Sequence, residues 1–171
     1  MSILIPVNYW VGTQTVELKI PWITPESICA VEAFIRPEHR VLEFGAGGST
    51  LYFSQRCHSV LSFETLPDWY THMKKLVEGS NVELHSVSTL EEISNVIGPN
   101  KFDISLVDIC NISRYDLARL SRDWVKPGGI IIVDNYSADY CFNLSNLFDL
   151  NMCETFDDIH WVGSGTRIFY M

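Results

Sequence analysis

Residues 41–50 read VLEFGAGGST, and this stretch decides the fold. Val41, Leu42 and Phe44 favour a buried strand, and a cluster of glycines follows them directly. The next residues, 49–56, have the pattern of a helix. The stretch therefore predicts a strand, a tight turn and the start of a helix.

The predicted turn has chemistry that suits a ligand. Ser49 or Thr50 can cap the helix, whose first turn carries unpaired N–H groups and a partial positive charge. Glycines let a ligand approach bare backbone. An anionic or polar cofactor is therefore expected at the loop, although a lone glycine loop can also be no more than a sharp turn.

A second strand, over residues 60–64, ends in an acid. Glu64 lies 19 positions after Gly45, close to the offset at which an acidic side chain meets ribose hydroxyls in nucleotide-binding folds. The two features together favour a cofactor that contains a ribose.

The remaining pattern alternates strands with helices. Five strands separated by helices imply a doubly wound, mostly parallel sheet, in which ligands bind outside the carboxyl ends of the strands. Four residues fall at such ends and are expected at one edge of the sheet: Gly45, Glu64, Asp108 and Asp134. The helices are predicted to begin at Pro25, Pro67, Thr89 and Ser113, with a further helix over residues 138–150.

The two ends of the chain differ from this alternation. Residues 9–20 mix aromatic and β-branched residues with a glycine, which suggests a flap or short hairpin, and residues 1–23 as a whole are a candidate lid. Residues 152–156 and 166–170 read as two strands with no helix between them, so they are expected to pair antiparallel.

Composition limits the class of protein. With 171 residues, 47% of them hydrophobic, the chain is expected to fold as one domain, residues 1–171. The net charge of −9 argues against a nucleic-acid partner. No apolar run reaches the ~20 residues of a membrane helix, and the first residues lack a basic leader segment, so a cytoplasmic location is expected. Five scattered cysteines suggest neither disulfides nor a zinc site.

These motifs resemble those of the class I S-adenosylmethionine-dependent methyltransferases. Residues 41–50 look like the family's first motif, Glu64 like the acid that closes the second strand, and residues 102–108 and 126–134 like the segments of the fourth and fifth strands. The resemblance covers about residues 24–171. It implies a seven-stranded sheet with a C-terminal antiparallel strand pair and helices on both faces.

The resemblance also implies a set of cofactor contacts. The glycine loop would approach the methionine portion of S-adenosylmethionine, Glu64 would accept hydrogen bonds from the ribose hydroxyls, and Asp108 would face the methionine end or the acceptor. Glu43 would order the loop or contact the amino group. The implied cofactor-binding residues are Glu43, Gly45, Ala46, Gly47, Ser49, Thr50, Glu64, Thr65 and Asp108.

A weaker similarity links the chain to the catechol-type, magnesium-dependent O-methyltransferases. Asp108, Asp134 and Asn135 resemble the metal ligands of those enzymes, and hard oxygen ligands would hold a Mg²⁺ ion that lowers the pKa of an acceptor hydroxyl. Asn111 stands where those enzymes carry a lysine base. Asp-Asn after the fifth strand also occurs without metal, as a turn with its own side-chain hydrogen bonds.

The function implied is transfer of a methyl group from S-adenosylmethionine to a small-molecule acceptor, with oxygen as the preferred acceptor atom. Candidates for a catalytic base are Asp108, Asp134, His160 and Tyr136. One alternative is an inactive cofactor-binding or scaffold module, and another is an NAD-dependent oxidoreductase. Thr50 argues against NAD, because a dinucleotide loop prefers a third glycine there. A homo-oligomer remains open.

Overall fold

Seven strands form one sheet in the computed structural model, which describes residues 12–136, 144–157 and 165–171. In chain order, the strands are β1 (Arg40–Phe44), β2 (Ser59–Glu64), β3 (Val82–Ser86), β4 (Phe102–Val107), β5 (Val125–Asp134), β6 (Cys153–Asp157) and β7 (Gly165–Tyr170). The helices of the described residues are α1 (Gly12–Leu18), α2 (Pro25–Phe34), α3 (Gly48–Ser54), α4 (Pro67–Leu76), α5 (Leu90–Ile97) and α6 (Arg114–Trp124).

The order of the strands is β3-β2-β1-β4-β5-β7-β6. Strands β1 to β5 pair in parallel, whereas β7 pairs antiparallel with both β5 and β6. The predicted fold class, a doubly wound and mostly parallel sheet with a C-terminal antiparallel pair, is therefore confirmed. The strand order reverses between β1 and β4, which places a ligand crevice at their carboxyl ends.

Alternating side chains of the strands supply two apolar layers. On one face, Leu42 and Phe44 of β1 pack with residues of α5 and α6. On the other face, Val41 packs with residues of α2 and α3. Because both faces of the sheet are covered, its central strands read as nearly continuous apolar runs.

The predicted hairpin over residues 9–20 is wrong where the structure describes it. Residues from Gly12 onward form α1, and Val16 of this helix is buried against Ala46 and Leu51. This packing favours a helix over the hairpin that the β-branched composition suggested. Residues 9–11 lie outside the described residues.

The helix predicted over residues 138–150 is also corrected. Residues 137–143 lie outside the described residues, and the rest contains only two short 3₁₀ helices, Leu144–Asn146 and Leu150–Met152. Asp149 accepts a hydrogen bond from the backbone N–H of Asn151, a turn that competes with a continuous helix.

The longest of the described helices has 11 residues. None of the helices in the described part of the chain is long and apolar enough to cross a membrane.

Candidate cofactor and acceptor site

The glycine loop lies at the reversal of strand order, between the ends of β1 and β4. Gly45 has a φ of 98°, and a Cβ atom there would lie 2.0 Å from the carbonyl oxygen of Asp108. Its N–H donates to Phe63 O at 2.8 Å. Only glycine combines this backbone conformation with so close an approach to the next strand.

A buried acid holds the loop from beneath. Glu43 Oε2 accepts hydrogen bonds from the Thr50 hydroxyl at 2.6 Å and from the Ser62 hydroxyl at 2.5 Å. The Thr50 hydroxyl in turn accepts from the N–H of Gly47 at 2.8 Å. The residue that caps α3 is thus Gly47, not Ser49 or Thr50. Thr50 is the third residue of the helix, and its side chain bonds back to the cap residue.

Glu43 is fully buried, and its Oε1 has no hydrogen-bond partner among the described residues. Burial raises the pKa of Glu43 to about 7, while the hydroxyls of Ser49, Ser62 and Thr50 act against this rise. The carboxyl group therefore titrates near neutral pH in the folded protein.

Glu64 lies beside the loop, at the end of β2. Its Oε2 accepts from the N–H of Ala46 at 3.1 Å, and its Oε1 accepts from the N–H groups of Thr65 and Leu66 at 2.7 and 2.8 Å. Since a carboxylate offers about four acceptor sites, three backbone donors fix its orientation and leave capacity for a further donor. The predicted proximity of Glu64 to the Gly45 turn is observed.

Two contacts around the loop were not predicted. The indole Nε1 of Trp69, on α4, donates to the carbonyl of Ala46 at 2.6 Å. The Thr65 hydroxyl donates to the carbonyl of Cys110 at 3.0 Å and so joins the loops after β2 and β4. The sequence pattern predicts that Trp69 lies on a helix, but it does not predict the contact of Trp69 with the loop.

The most connected side chain at this edge is that of Arg114, the first residue of α6. Its guanidinium donates to Asp108 Oδ1 at 2.8 Å, to Asn135 Oδ1 at 2.7 Å, and to the backbone carbonyls of Asp134 and Ile109, both at 3.0 Å. Only 9% of the side chain is exposed. Arg114 was not among the residues predicted from the sequence.

Asp108 and Asp134 are brought near each other, as predicted, but in different environments. Asp108 remains 26% exposed. Asp134 is buried, and its Oδ1 accepts from the Thr166 hydroxyl at 2.7 Å. Burial raises the pKa of both carboxyl groups, Arg114 opposes the rise at each, and the charge of Asp108 adds to it at Asp134.

The three residues predicted to bind magnesium, Asp108, Asp134 and Asn135, each have a side-chain partner in this structure. Arg114 bonds to the side chains of Asp108 and Asn135, and Oδ1 of Asp134 accepts from the Thr166 hydroxyl. Asn135, with a φ of 52°, adopts the turn conformation that was the alternative interpretation.

The other predicted residues are placed as follows. Ser49 and Thr50 are buried in the first turn of α3, beside the loop. His160, a predicted base, lies outside the described residues. Tyr136, at the end of β5, donates its hydroxyl to Asp157 at 2.8 Å.

Comparisons with known proteins agree with the fold. No family model matches the chain. The chain is 30% identical, over 123 residues, to a probable cobalt-precorrin-6B C(15)-methyltransferase (decarboxylating) of Methanobrevibacter smithii; the match covers 67% of this chain and 64% of that protein, less than two thirds of its length.

Solved structures share the whole architecture. A precorrin 8W decarboxylase of Methanobacterium thermoautotrophicum is 20% identical, with a TM-score of 0.59 over 98% of this chain and 99% of that one. An O-methyltransferase of Bacillus cereus, in complex with SAH, is 13% identical, with a TM-score of 0.64 over 97% and 83% of the two chains. Methyltransferases that act on RNA share the fold as well.

The seven-stranded sheet and the similarity to a methyltransferase over two thirds of the chain define one class of protein. The chain belongs to the class I S-adenosylmethionine-dependent methyltransferases. The likeness to an O-methyltransferase is one of fold.

Proposed function

We propose that the protein transfers a methyl group from S-adenosylmethionine to a small-molecule acceptor. The observation that carries the proposal is the meeting of Glu64 with the Gly45 turn at the reversal point of the sheet. A carboxylate, bare backbone and the start of a helix lie together there, which suits a ligand with ribose hydroxyls and a charged amino-acid portion.

The cofactor contacts follow from these positions. Ribose hydroxyls would donate to Glu64, the amino-acid portion would lie against Gly45, Ala46 and Gly47, and Thr65 would border the adenine. Glu43 would act through Thr50 and Ser49, because it lies beneath the loop and is itself fully buried. Asp108 is the acid at the edge that keeps exposed surface.

NAD fits the same residues less well. The Thr50 side chain is completely buried and bonded to Glu43, where a dinucleotide loop needs the third glycine for close packing of helix and strand. The proposal therefore favours a cofactor without a pyrophosphate.

The bound cofactor would supply a methyl group that its sulfonium already activates. The protein then has to bind, orient and exclude water, and positioning alone can account for several kcal/mol of the barrier, on the order of 7–11 in favourable cases. If the acceptor must lose a proton, Asp108 is better placed than Asp134, whose carboxyl group is buried and bonded to Thr166. Asp134 and His160 remain predicted bases.

Oxygen remains the predicted acceptor atom, now without support from a metal site. A second candidate is methylation of carbon on a cobalt-precorrin, and it is favoured by the 30% identity to a relative with that name. The net charge of −9 continues to argue against nucleic acid as the acceptor.

Calorimetry with S-adenosylmethionine, S-adenosylhomocysteine and NAD tests the cofactor. We expect binding of the first two and none of NAD. Methyl transfer is then measured with labelled S-adenosylmethionine against catechols, other small hydroxylated compounds and a cobalt-precorrin. Binding of S-adenosylhomocysteine without transfer to any of these acceptors would favour the scaffold module, and binding of NAD alone would favour the oxidoreductase.

A further inference from the structure

The Arg114 side chain lies where both the helix dipole and its burial disfavour a cation. As the first residue of α6, it puts a cation at the positive end of the helix dipole. Its guanidinium is also largely withdrawn from water, which is costly unless each donor is paired. The position of this side chain is therefore determined by its acceptors.

Those acceptors come from two neighbouring loops. Asp108 Oδ1 and the carbonyl of Ile109 follow β4, while the carbonyl of Asp134 and Asn135 Oδ1 follow β5. One carboxylate, one amide and two backbone carbonyls form a set of hard oxygen donors, the kind that binds a divalent cation in other proteins. Here the planar fork of the guanidinium bonds to all four.

We propose that the guanidinium of Arg114 is the cation that occupies the end of the site where the methyl acceptor would bind. Its guanidinium takes the oxygen atoms that a Mg²⁺ ion would need, and it fixes the loops after β4 and β5 relative to each other. Arg114 is thus a positioning residue for Asp108. The claim that Arg114 occupies these oxygen atoms does not depend on the proposed function. The corollary that methyl transfer needs no metal rests on that function.

The test asks whether the oxygen set accepts another cation once the guanidinium is removed. Arg114→Ala is compared with Arg119→Ala, which removes an exposed arginine of the same helix. Thermal midpoints are followed while methylguanidinium or Mg²⁺ is added up to about 10 mM, a range in which a bound ion stabilises by mass action.

We expect Arg114→Ala to lower the midpoint and methylguanidinium to raise it again, saturably and by a few °C, since the ion refills the same acceptors. Mg²⁺ should act in the same direction on this variant. The parent protein and Arg119→Ala should respond to neither ion. A role in packing alone would give the loss of stability without the rescue.

Two results would overturn the proposal. One is a folded Arg114→Ala variant that methylguanidinium does not stabilise. The other is saturable binding of Mn²⁺ to the parent protein, measured by electron paramagnetic resonance and removed by Asp108→Asn; this measurement needs no folded variant of Arg114. Failure of the proposed function would show differently, as an absence of S-adenosylmethionine binding while the methylguanidinium rescue persists.

Discussion

The indole N–H of Trp69 donates a hydrogen bond to the carbonyl of Ala46, and so ties α4 to the glycine loop. The nitrogen and oxygen are 2.6 Å apart. Together with the bond from Ala46 N–H to Glu64, this leaves both backbone polar groups of Ala46 bonded to side chains, one from the last residue of β2 and one from α4. The loop is therefore held in place by the chain around it as well as by its own glycines.

Trp69→Phe should weaken binding of S-adenosylhomocysteine about fivefold, because a hydrogen bond of about 1 kcal/mol that orders the loop is lost. Titration calorimetry measures the effect. Tyr70→Phe, on the same helix, is the control, since the Tyr70 hydroxyl accepts from Lys74 at 3.1 Å and its loss should leave the dissociation constant unaltered. Equal affinities of the parent and Trp69→Phe would show that this bond does not order the binding loop.

Gly45→Ala should destabilise the protein more than Gly79→Ala does. Both glycines have positive φ, 98° and 73°, but an added Cβ meets the backbone of Asp108 at Gly45 and open space at Gly79. Strain alone costs about 1–3 kcal/mol at either position, and the clash adds to this at Gly45. Urea denaturation gives both free energies of unfolding; equal losses would refute the close approach of the two strands.

Glu43→Gln should change how stability depends on pH. In the parent, the pKa of Glu43 is raised from 4.5 to about 7 in the folded state, so the unfolded chain releases the proton first and stability falls as pH rises from 4.5 to 7. The amide cannot ionise. The free energy of unfolding of the variant should therefore rise relative to that of the parent by up to about 3 kcal/mol over this interval.

Denaturation of the parent and Glu43→Gln at a series of pH values measures that gain. Glu78→Gln, at an exposed position after α4, is the control and should show a difference that does not vary in this way. A constant difference between Glu43→Gln and the parent would contradict the raised pKa.

Thr166→Val should cost about 2–4 kcal/mol of stability. The Thr166 hydroxyl donates to the buried carboxyl group of Asp134 and accepts from the N–H of Thr24, so two buried groups lose their partner. Thr155→Val, on exposed β6, should change stability by no more than about 0.5 kcal/mol. Comparable losses of stability for the two variants would show that the Thr166 hydroxyl does not stabilise the site.

The sequence was sufficient to predict features that depend on short spacing. The Gly45 turn, Glu64 and Asp108 follow buried strands directly, and parallel strands bring their carboxyl ends to one edge, so these positions needed no knowledge of long-range packing. The strands themselves were predictable because their faces are covered on both sides.

The sequence was insufficient where a long side chain or a distant element decides the outcome. Arg114 reaches two loops through a side chain whose direction no spacing reveals, and Thr166 meets Asp134 only through the pairing of β5 with β7. An arginine at the first position of a helix was the available signal, because the helix dipole disfavours it there. Val16 shows the same limit, since its packing makes α1 a helix.

The central claim is that Glu64 and the glycine loop together bind the adenosyl cofactor. Its most direct test is the dissociation constant of S-adenosylhomocysteine for the parent, for Glu64→Ala and for Glu83→Ala, with thermal melts to confirm that all three are folded. We predict binding at least about tenfold weaker for Glu64→Ala, a loss of about 1.4 kcal/mol or more, and no change for Glu83→Ala. Equal affinity of Glu64→Ala and the parent would contradict the account.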